Sequence, residues 1–196
     1  MRDAGRIGAR RIELCERLDV GGVTPSEVFL RAALAESPMP INVLVRPRGG
    51  NFVYSGEEID AMLECIRLCG RLGANGVVVG ALKPDGSVDL DVTGRLVQVA
   101  RQAGLSVTFH RAFDECINPF EALEGIIRLG CDRLLTSGQA PDAYAGREKI
   151  GQFVQAAAGR IIVMAGCGVR PGNIRAIAEA SSAPEFHSSH LREPYV

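Results

Sequence analysis

A short stretch near the middle of the chain carries three residue types that can do chemistry. In VTFHRAFD (107–114), a strand-forming run leads directly into His110, Arg111 and Asp114. An imidazole and a carboxylate can transfer protons, and a planar guanidinium suits a carboxylate or phosphate. We therefore predict His110 and Asp114 as catalytic residues and Arg111 as a substrate-binding residue. The alternative is that His110 is a core histidine whose ring is satisfied by a backbone carbonyl.

A further carboxylate lies within the first apolar run, RIELC (11–15). Glu13 is flanked by two apolar residues and points to the opposite side of its strand from them. A buried carboxylate needs a partner, and Arg46, Arg111 or His110 could neutralise it. We predict Glu13 as a third catalytic residue. The alternative is an ion pair that only holds the interior together.

Two arginines follow the second apolar run, in the segment RPRGGNF (46–52). Pro47 fixes its own backbone angle and restricts Arg46 to an extended conformation, so one guanidinium could point inward and the other, of Arg48, along a rim. This favours an anion site. The alternative is a turn with two solvated arginines.

The late glycine cluster AGCGV (165–169) and the HSS that ends the next run are typical of loops that bind phosphate through backbone amides. Glycine lets the backbone come close to an anion. Together with the polar residues at the other strand ends, this gives the predicted substrate-binding set: Arg46, Arg48, Arg111, Thr136, Ser137, Gly166, Gly168 and His187.

The elements that must position these residues alternate along the whole chain. Seven short apolar runs are predicted as strands, at 11–15, 41–45, 76–82, 106–110, 133–137, 160–166 and, more weakly, 185–189. Their nearly continuous apolar character favours parallel strands covered on both faces. The intervals carry helix start patterns, such as the capping-box spacing of Ser55 and Glu58 and the pair Asn118-Pro119.

Repeated βα units of this kind close into a barrel or spread into an open sheet. The glycine fingerprint GxGxxG of a dinucleotide-binding open sheet does not follow an early strand. We therefore predict an α/β fold, a TIM-type (β/α)8 barrel that forms one domain over residues 1–196 and lacks its first strand, which we expect upstream of Met1. In such barrels the loops at the carboxyl ends of the strands form the site.

Composition argues against some classes of partner. The 22 basic and 23 acidic residues nearly cancel, without a long run of like charge, so we expect no nucleic acid or membrane partner. No apolar stretch approaches the roughly 18 residues of a transmembrane helix, and the N-terminus lacks the apolar region of a secretory signal. These features favour an intracellular protein whose six cysteines are thiols. Cys65 and Cys69 are interpreted as core residues on one helix face.

The motifs in order resemble one known family. RIELC, GGVTPS, VRPRGGNFVYS, GANGVVVGAL, VTFHRAFD, LTSGQA, GRIIVM and EFHSS, from about Gly8 to Ser188, are similar to the copper homeostasis protein CutC family. The resemblance implies a TIM-type barrel, a cytoplasmic location, a homo-oligomer and a role in copper binding or tolerance.

The resemblance also bears on individual residues. It implies Cys15 as a copper(I) ligand, and it places Glu13, Arg46, Arg48, His110, Arg111, Asp114, Thr136, Ser137 and His187 in the family's polar mouth. Cys167 stands where the family usually has glycine, and Cys167 and His190 could add ligands. We take Cys15 and Cys167 as the metal-binding prediction, with copper(I) as the bound ion.

Two functions follow, and whether the chain is an enzyme stays open at this point. The first is copper homeostasis through cytoplasmic copper-ion binding. The alternative is a barrel enzyme that acts on a small phosphorylated or carboxylated metabolite, with His110 or Glu13 as acid or base. A third possibility is a scaffold whose interfaces matter more than its pocket.

Overall fold

The structure is a computed structural model, in which residues 8–189 are described. His190, named above as a further ligand, lies outside the described residues. The strands are β1 (Ile12–Leu14), β2 (Ile41–Leu44), β3 (Gly76–Val79), β4 (Ser106–Phe109), β5 (Arg133–Thr136), β6 (Ile162–Ala165) and β7 (Glu185–Phe186). The α-helices are α1 (Glu27–Glu36), α2 (Gly56–Leu72), α3 (Leu90–Gln102), α4 (Pro119–Arg128), α5 (Arg147–Ala157) and α6 (Ile174–Ser181), and two 3-10 helices span Leu18–Val20 and Arg111–Glu115.

The seven strands form one sheet in sequence order, and each pairs with the next in parallel. All seven predicted strands are present, with shorter bounds than the apolar runs. Because the strands are parallel, their carboxyl ends lie at one end of the sheet, and the predicted polar residues lie there with them. The fold is a TIM-type (β/α) barrel that lacks one strand, as predicted.

The helices pack on the outer face of the sheet and bury its apolar residues. Val77 and Val107 on adjacent strands are fully buried, as are Leu123 of α4 and Phe153 of α5. The capping box at the start of α2 is present, because Ser55 and Glu58 exchange side-chain and backbone hydrogen bonds. Within the described residues, no helix has the length and apolar character that crossing a membrane requires.

The place of the missing strand lies between β7 and β1, which share no strand pairing in the described residues. Side chains span this gap. At the amino end of the barrel, Glu185 of β7 accepts hydrogen bonds from Arg11, beside β1, and from Arg133 Nε at 2.9 Å. At the carboxyl end, His187 Nδ1 lies 3.7 Å from Glu13 Oε2. An Arg11–Glu185 ion pair and a His187–Glu13 contact therefore connect the two edges where backbone hydrogen bonds do not.

Candidate functional site

A cavity of about 1250 Å³ lies in the barrel interior, and its lining runs from Arg11 and Glu185 near the amino ends of the strands to His110 at the carboxyl ends. It brings together nine of the predicted site residues: Glu13, Cys15, Arg46, His110, Arg111, Asp114, Cys167, Gly168 and His187. Four others do not line it: Arg48, Thr136, Ser137 and Gly166. Several further residues line the cavity and were not predicted from the sequence. Among them, Phe52 contacts both Arg46 and His110.

Arg46 is a buried cation that donates hydrogen bonds to three backbone carbonyls, and its charge also acts on the nearby Tyr54 hydroxyl. Only 6% of it is exposed. Its Nη1 donates to the carbonyls of Val20 and Gly22, both at 3.0 Å, and its Nη2 donates to Gly50 O at 2.7 Å. Its Nε has no partner, and no carboxylate of the described chain forms an ion pair with it. The guanidinium therefore fixes two loops at the mouth and keeps an uncompensated positive charge beside the cavity.

His110 stands at the end of β4 and caps the 3-10 helix that follows. Its Nδ1 accepts a hydrogen bond from the Ala112 amide at 3.1 Å, so Nε2 carries the ring proton, and Nε2 has no partner. Burial, together with the charge of Arg46, lowers the pKa of His110 to about 3. The ring fits against β3 because residue 80 is glycine, where a Cβ would lie 2.6 Å from the imidazole. At neutral pH His110 is thus suited to donate a hydrogen bond and poorly suited to gain a proton.

Asp114 joins the ends of β4 and β5. Its carboxylate accepts hydrogen bonds from Arg111 Nε at 2.8 Å, from the hydroxyls of Thr136 and Ser137, and from the amides of Ser137 and Gln139. Thr136 and Ser137 are fully buried. This arrangement favours a structural role for Asp114, Thr136 and Ser137, with Arg111 held at the rim.

The Arg48 side chain stabilises the loop that contains it. Its Nε donates to Glu58 Oε1 at 2.6 Å, and its other nitrogens donate to the carbonyls of Asn51 and Val53, among others. It also lies 5.4 Å from the ring centre of Tyr54, whose pKa burial raises to about 12. These contacts shape the segment that carries Arg46 and Phe52 into the cavity.

Glu13 and Cys15 enter the cavity from β1 and the residue after it. The side chain that contacts the Glu13 carboxylate is His187, which follows β7 across the gap, rather than Arg46, Arg111 or His110. Burial, and next the charge of Glu13, raises the pKa of the Cys15 thiol. Cys15 is therefore a protonated thiol at neutral pH, and metal binding there must displace a proton.

Within the segment 165–169, Gly166 packs against β5, whereas residues 167–169 line the cavity. A Cβ at residue 166 would lie 2.4 Å from Leu135 Cδ1, so any other residue requires the Leu135 side chain to shift, and the Gly166 amide donates to Thr136 O. Cys167 and Gly168 both have left-handed backbones, with φ of 77° and 69°. The amides of residues 167–169 donate to no acceptor in the described part of the chain. All three residues line the cavity.

Replacing Cys167 with glycine should stabilise the protein by up to about 1 kcal/mol, because a residue with a Cβ is strained in the left-handed region. The Sγ of Cys167 donates a 3.4 Å contact to Pro141 O, which the change removes. A Cys167→Ala variant loses the same contact and keeps the strain, so it should show no gain. Urea unfolding of the three proteins measures the difference, and a destabilised Cys167→Gly variant would show that the sulfur contact outweighs the strain.

The residues present fit a resident metal poorly. Among residues 8–189, no group of three or more His, Cys, Asp or Glu side chains is placed to hold a metal ion. Cys15 and Cys167 line the same cavity, which leaves at most a two-thiol site.

Comparison with known proteins gives a consistent result. The CutC family model matches residues 1–192. A CutC family protein of Parabacteroides distasonis is 50% identical over 183 residues, which are 93% of this chain and 74% of that protein. A CutC family protein of Vibrio cholerae is 47% identical over 182 residues, 93% of this chain and 72% of that protein.

Solved structures agree. The chain superposes with a TM-score of 0.88 and 30% identity on the crystal structure of a protein named as copper homeostasis protein CutC from Streptococcus agalactiae, covering 94% of this chain and 90% of that one. The structure of QR15, an aldolase, gives a TM-score of 0.69 at 16% identity, with 94% and 79% covered, and supports the barrel fold alone. With the family model matching nearly its whole length, the chain belongs to the CutC family.

Proposed function

We propose that this CutC-family chain binds a small anionic metabolite, phosphorylated or carboxylated, in the cavity at the carboxyl ends of its strands. The observation that carries the proposal is Arg46, a buried guanidinium that lines the cavity and lacks a carboxylate partner. A bound anion would supply the missing charge. The unpaired amides of residues 167–169 add backbone donors at the same cavity.

The test is a thermal-shift screen with phosphorylated and carboxylated metabolites. A ligand at one hundred times its Kd should stabilise the protein by about 2.7 kcal/mol. An Arg46→Met variant should lose this ligand-induced shift, measured against its own unliganded baseline. Arg31→Met, the same change on the exposed side of α1, should keep it. A screen in which no anion stabilises the wild-type protein would contradict the proposal.

A second candidate function, copper(I) binding within copper homeostasis, is favoured by the presence of Cys15 and Cys167 in one cavity. Thiolates are the ligands that copper(I) prefers. Copper would be cargo here, and its binding would release the proton that the raised pKa of Cys15 retains. Affinity should therefore rise with pH.

Anaerobic copper(I) titration tests this candidate. Cys15→Ser and Cys167→Ser should each weaken binding by about tenfold or more, in line with the loss of one soft ligand. Cys131→Ser, a change at a buried cysteine that does not line the cavity, serves as the control. Equal affinity for the wild type and Cys15→Ser would remove Cys15 as a ligand.

We further propose that the chain acts in the cytoplasm as a homo-oligomer. The sequence resemblance implies both statements, and the exposed apolar side chains of Leu18 and Val28, 70% and 80% accessible, are candidates for burial by a second copy. Light scattering coupled to size exclusion measures the mass in solution. A mass of 20.9 kDa, that of one chain, would contradict the oligomer.

A further inference from the structure

Two buried hydrogen-bond donors beside the cavity lack a hydrogen-bond acceptor. Arg46 Nε and His110 Nε2 are buried and have no hydrogen-bond partner among the described residues, and the Tyr54 hydroxyl close to Arg46 is a third buried group of this kind. The residues themselves are 6% and 5% exposed, and both line the cavity. A buried donor without an acceptor costs free energy, so the pair points to a missing acceptor.

The two donors share one neighbour, Phe52. The guanidinium carbon of Arg46 lies 4.8 Å from the Phe52 ring centre, and the His110 ring centre lies 4.9 Å from it. Phe52 O accepts a hydrogen bond from the Leu82 amide at 2.9 Å, which fixes the backbone at this position. Movement of the ring relative to Arg46 and His110 must therefore come from rotation about its own side-chain bonds.

The charges of the two groups indicate what they would bind. Arg46 carries one positive charge, and His110 is a neutral donor because its Nδ1 accepts from Ala112. One unit of negative charge and two acceptor oxygens match this pair. A carboxylate has both, whereas a phosphate dianion would bring a second charge that no group of the pair balances.

We propose that Arg46 Nε and His110 Nε2 bind one carboxylate group of the ligand, and that the Phe52 ring turns aside as the ligand enters. This rests on the proposed anion-binding function and names its substrate class as a metabolite that bears a carboxylate. His110 acts as a hydrogen-bond donor to the ligand. Phe52 covers the two donors in the free protein.

The experiment compares acetate, pyruvate and succinate with inorganic phosphate, by calorimetric titration of the wild type and a His110→Asn variant. Asparagine can still accept the Ala112 amide through Oδ1, but it has no group at the position of Nε2. Loss of one charge-assisted hydrogen bond should weaken carboxylate binding by about tenfold or more. In the wild type, the His110 Nε2–H resonance should shift on carboxylate binding, a readout that needs no variant.

The outcomes separate this inference from the function on which it rests. Phosphate binding in preference to every carboxylate, or carboxylate binding that leaves both His110→Asn and the Nε2–H resonance unaffected, would overturn the inference while anion binding stands. If neither carboxylates nor phosphate bind the wild-type protein, both fail.

Discussion

Replacing Asp114 with alanine should destabilise the protein by about 3–5 kcal/mol, because it leaves several buried hydrogen-bond donors unsatisfied at about 1–3 kcal/mol each. Only 7% of the Asp114 side chain is exposed. Its carboxylate is the acceptor for the Thr136 hydroxyl and for both the amide and the hydroxyl of Ser137. Alanine leaves the Thr136 hydroxyl and the Ser137 amide without an acceptor, and each adds to the cost, whereas the Ser137 hydroxyl keeps Ala140 O at 2.7 Å.

Glu115→Ala is the matched control, because Glu115 is exposed and follows Asp114 in the same 3-10 helix. It should change the free energy of unfolding by no more than about 0.5 kcal/mol. Chemical denaturation of the two variants measures both effects. If Asp114→Ala were as stable as the wild type and had only lost its ligand response, Asp114 would be a functional group and the structural role would be contradicted.

The architecture could be predicted from the sequence because it depends on short-range patterns. Apolar runs of strand length alternate with capped amphipathic stretches, so seven parallel strands and their common carboxyl end followed directly. The capping box at Ser55 and Glu58 has the same basis, since its partners lie one helical turn apart. The cavity position followed in turn from the parallel sheet.

Which polar side chains remain available in that cavity could not be predicted. Arg48 and Asp114 are residue types that often occur in functional sites. In the fold, however, Arg48 donates hydrogen bonds to carbonyls of its own loop, and Asp114 accepts hydrogen bonds from the residue after β5. Whether their hydrogen-bonding groups already have partners depends on the loop conformation, which residue types do not reveal. The pairing of Glu13 with His187 was missed for a related reason, since it spans the gap between the first and last strands.

Phe52 was missed because a lone aromatic residue in a loop belongs to no periodic pattern. The only indication was its position after the glycine pair that follows Arg46 and Arg48. In the fold it contacts both Arg46 and His110, and it thereby connects two motifs that are far apart in the sequence. The surroundings of the two unpaired donors, Arg46 Nε and His110 Nε2, therefore depend on Phe52 as well as on the polar residues of the site.

Lowering the pH below about 6.5 should cost the wild-type protein more stability than a His110→Asn variant, by up to about 1.4 kcal/mol for each pH unit. Burial, with the charge of Arg46, lowers the pKa of His110 to about 3 in the folded chain, whereas an unfolded histidine titrates at about 6.5. Between these values the unfolded chain binds a proton at this position and the folded chain does not. The contribution of His110 is therefore complete above pH 6.5 and falls as the pH decreases toward 3.

Asparagine preserves an acceptor for the Ala112 amide and does not titrate, so this component should be missing from the variant. The other ionisable groups are common to both proteins, and their effects cancel in the difference between the two stability curves. Urea unfolding at pH 5, 6, 7 and 8 gives the comparison. Parallel curves would mean that His110 takes up a proton as readily in the folded protein as in the unfolded chain. The imidazole would then be free to act as an acid or base, and its assignment as a neutral hydrogen-bond donor to a ligand would be wrong.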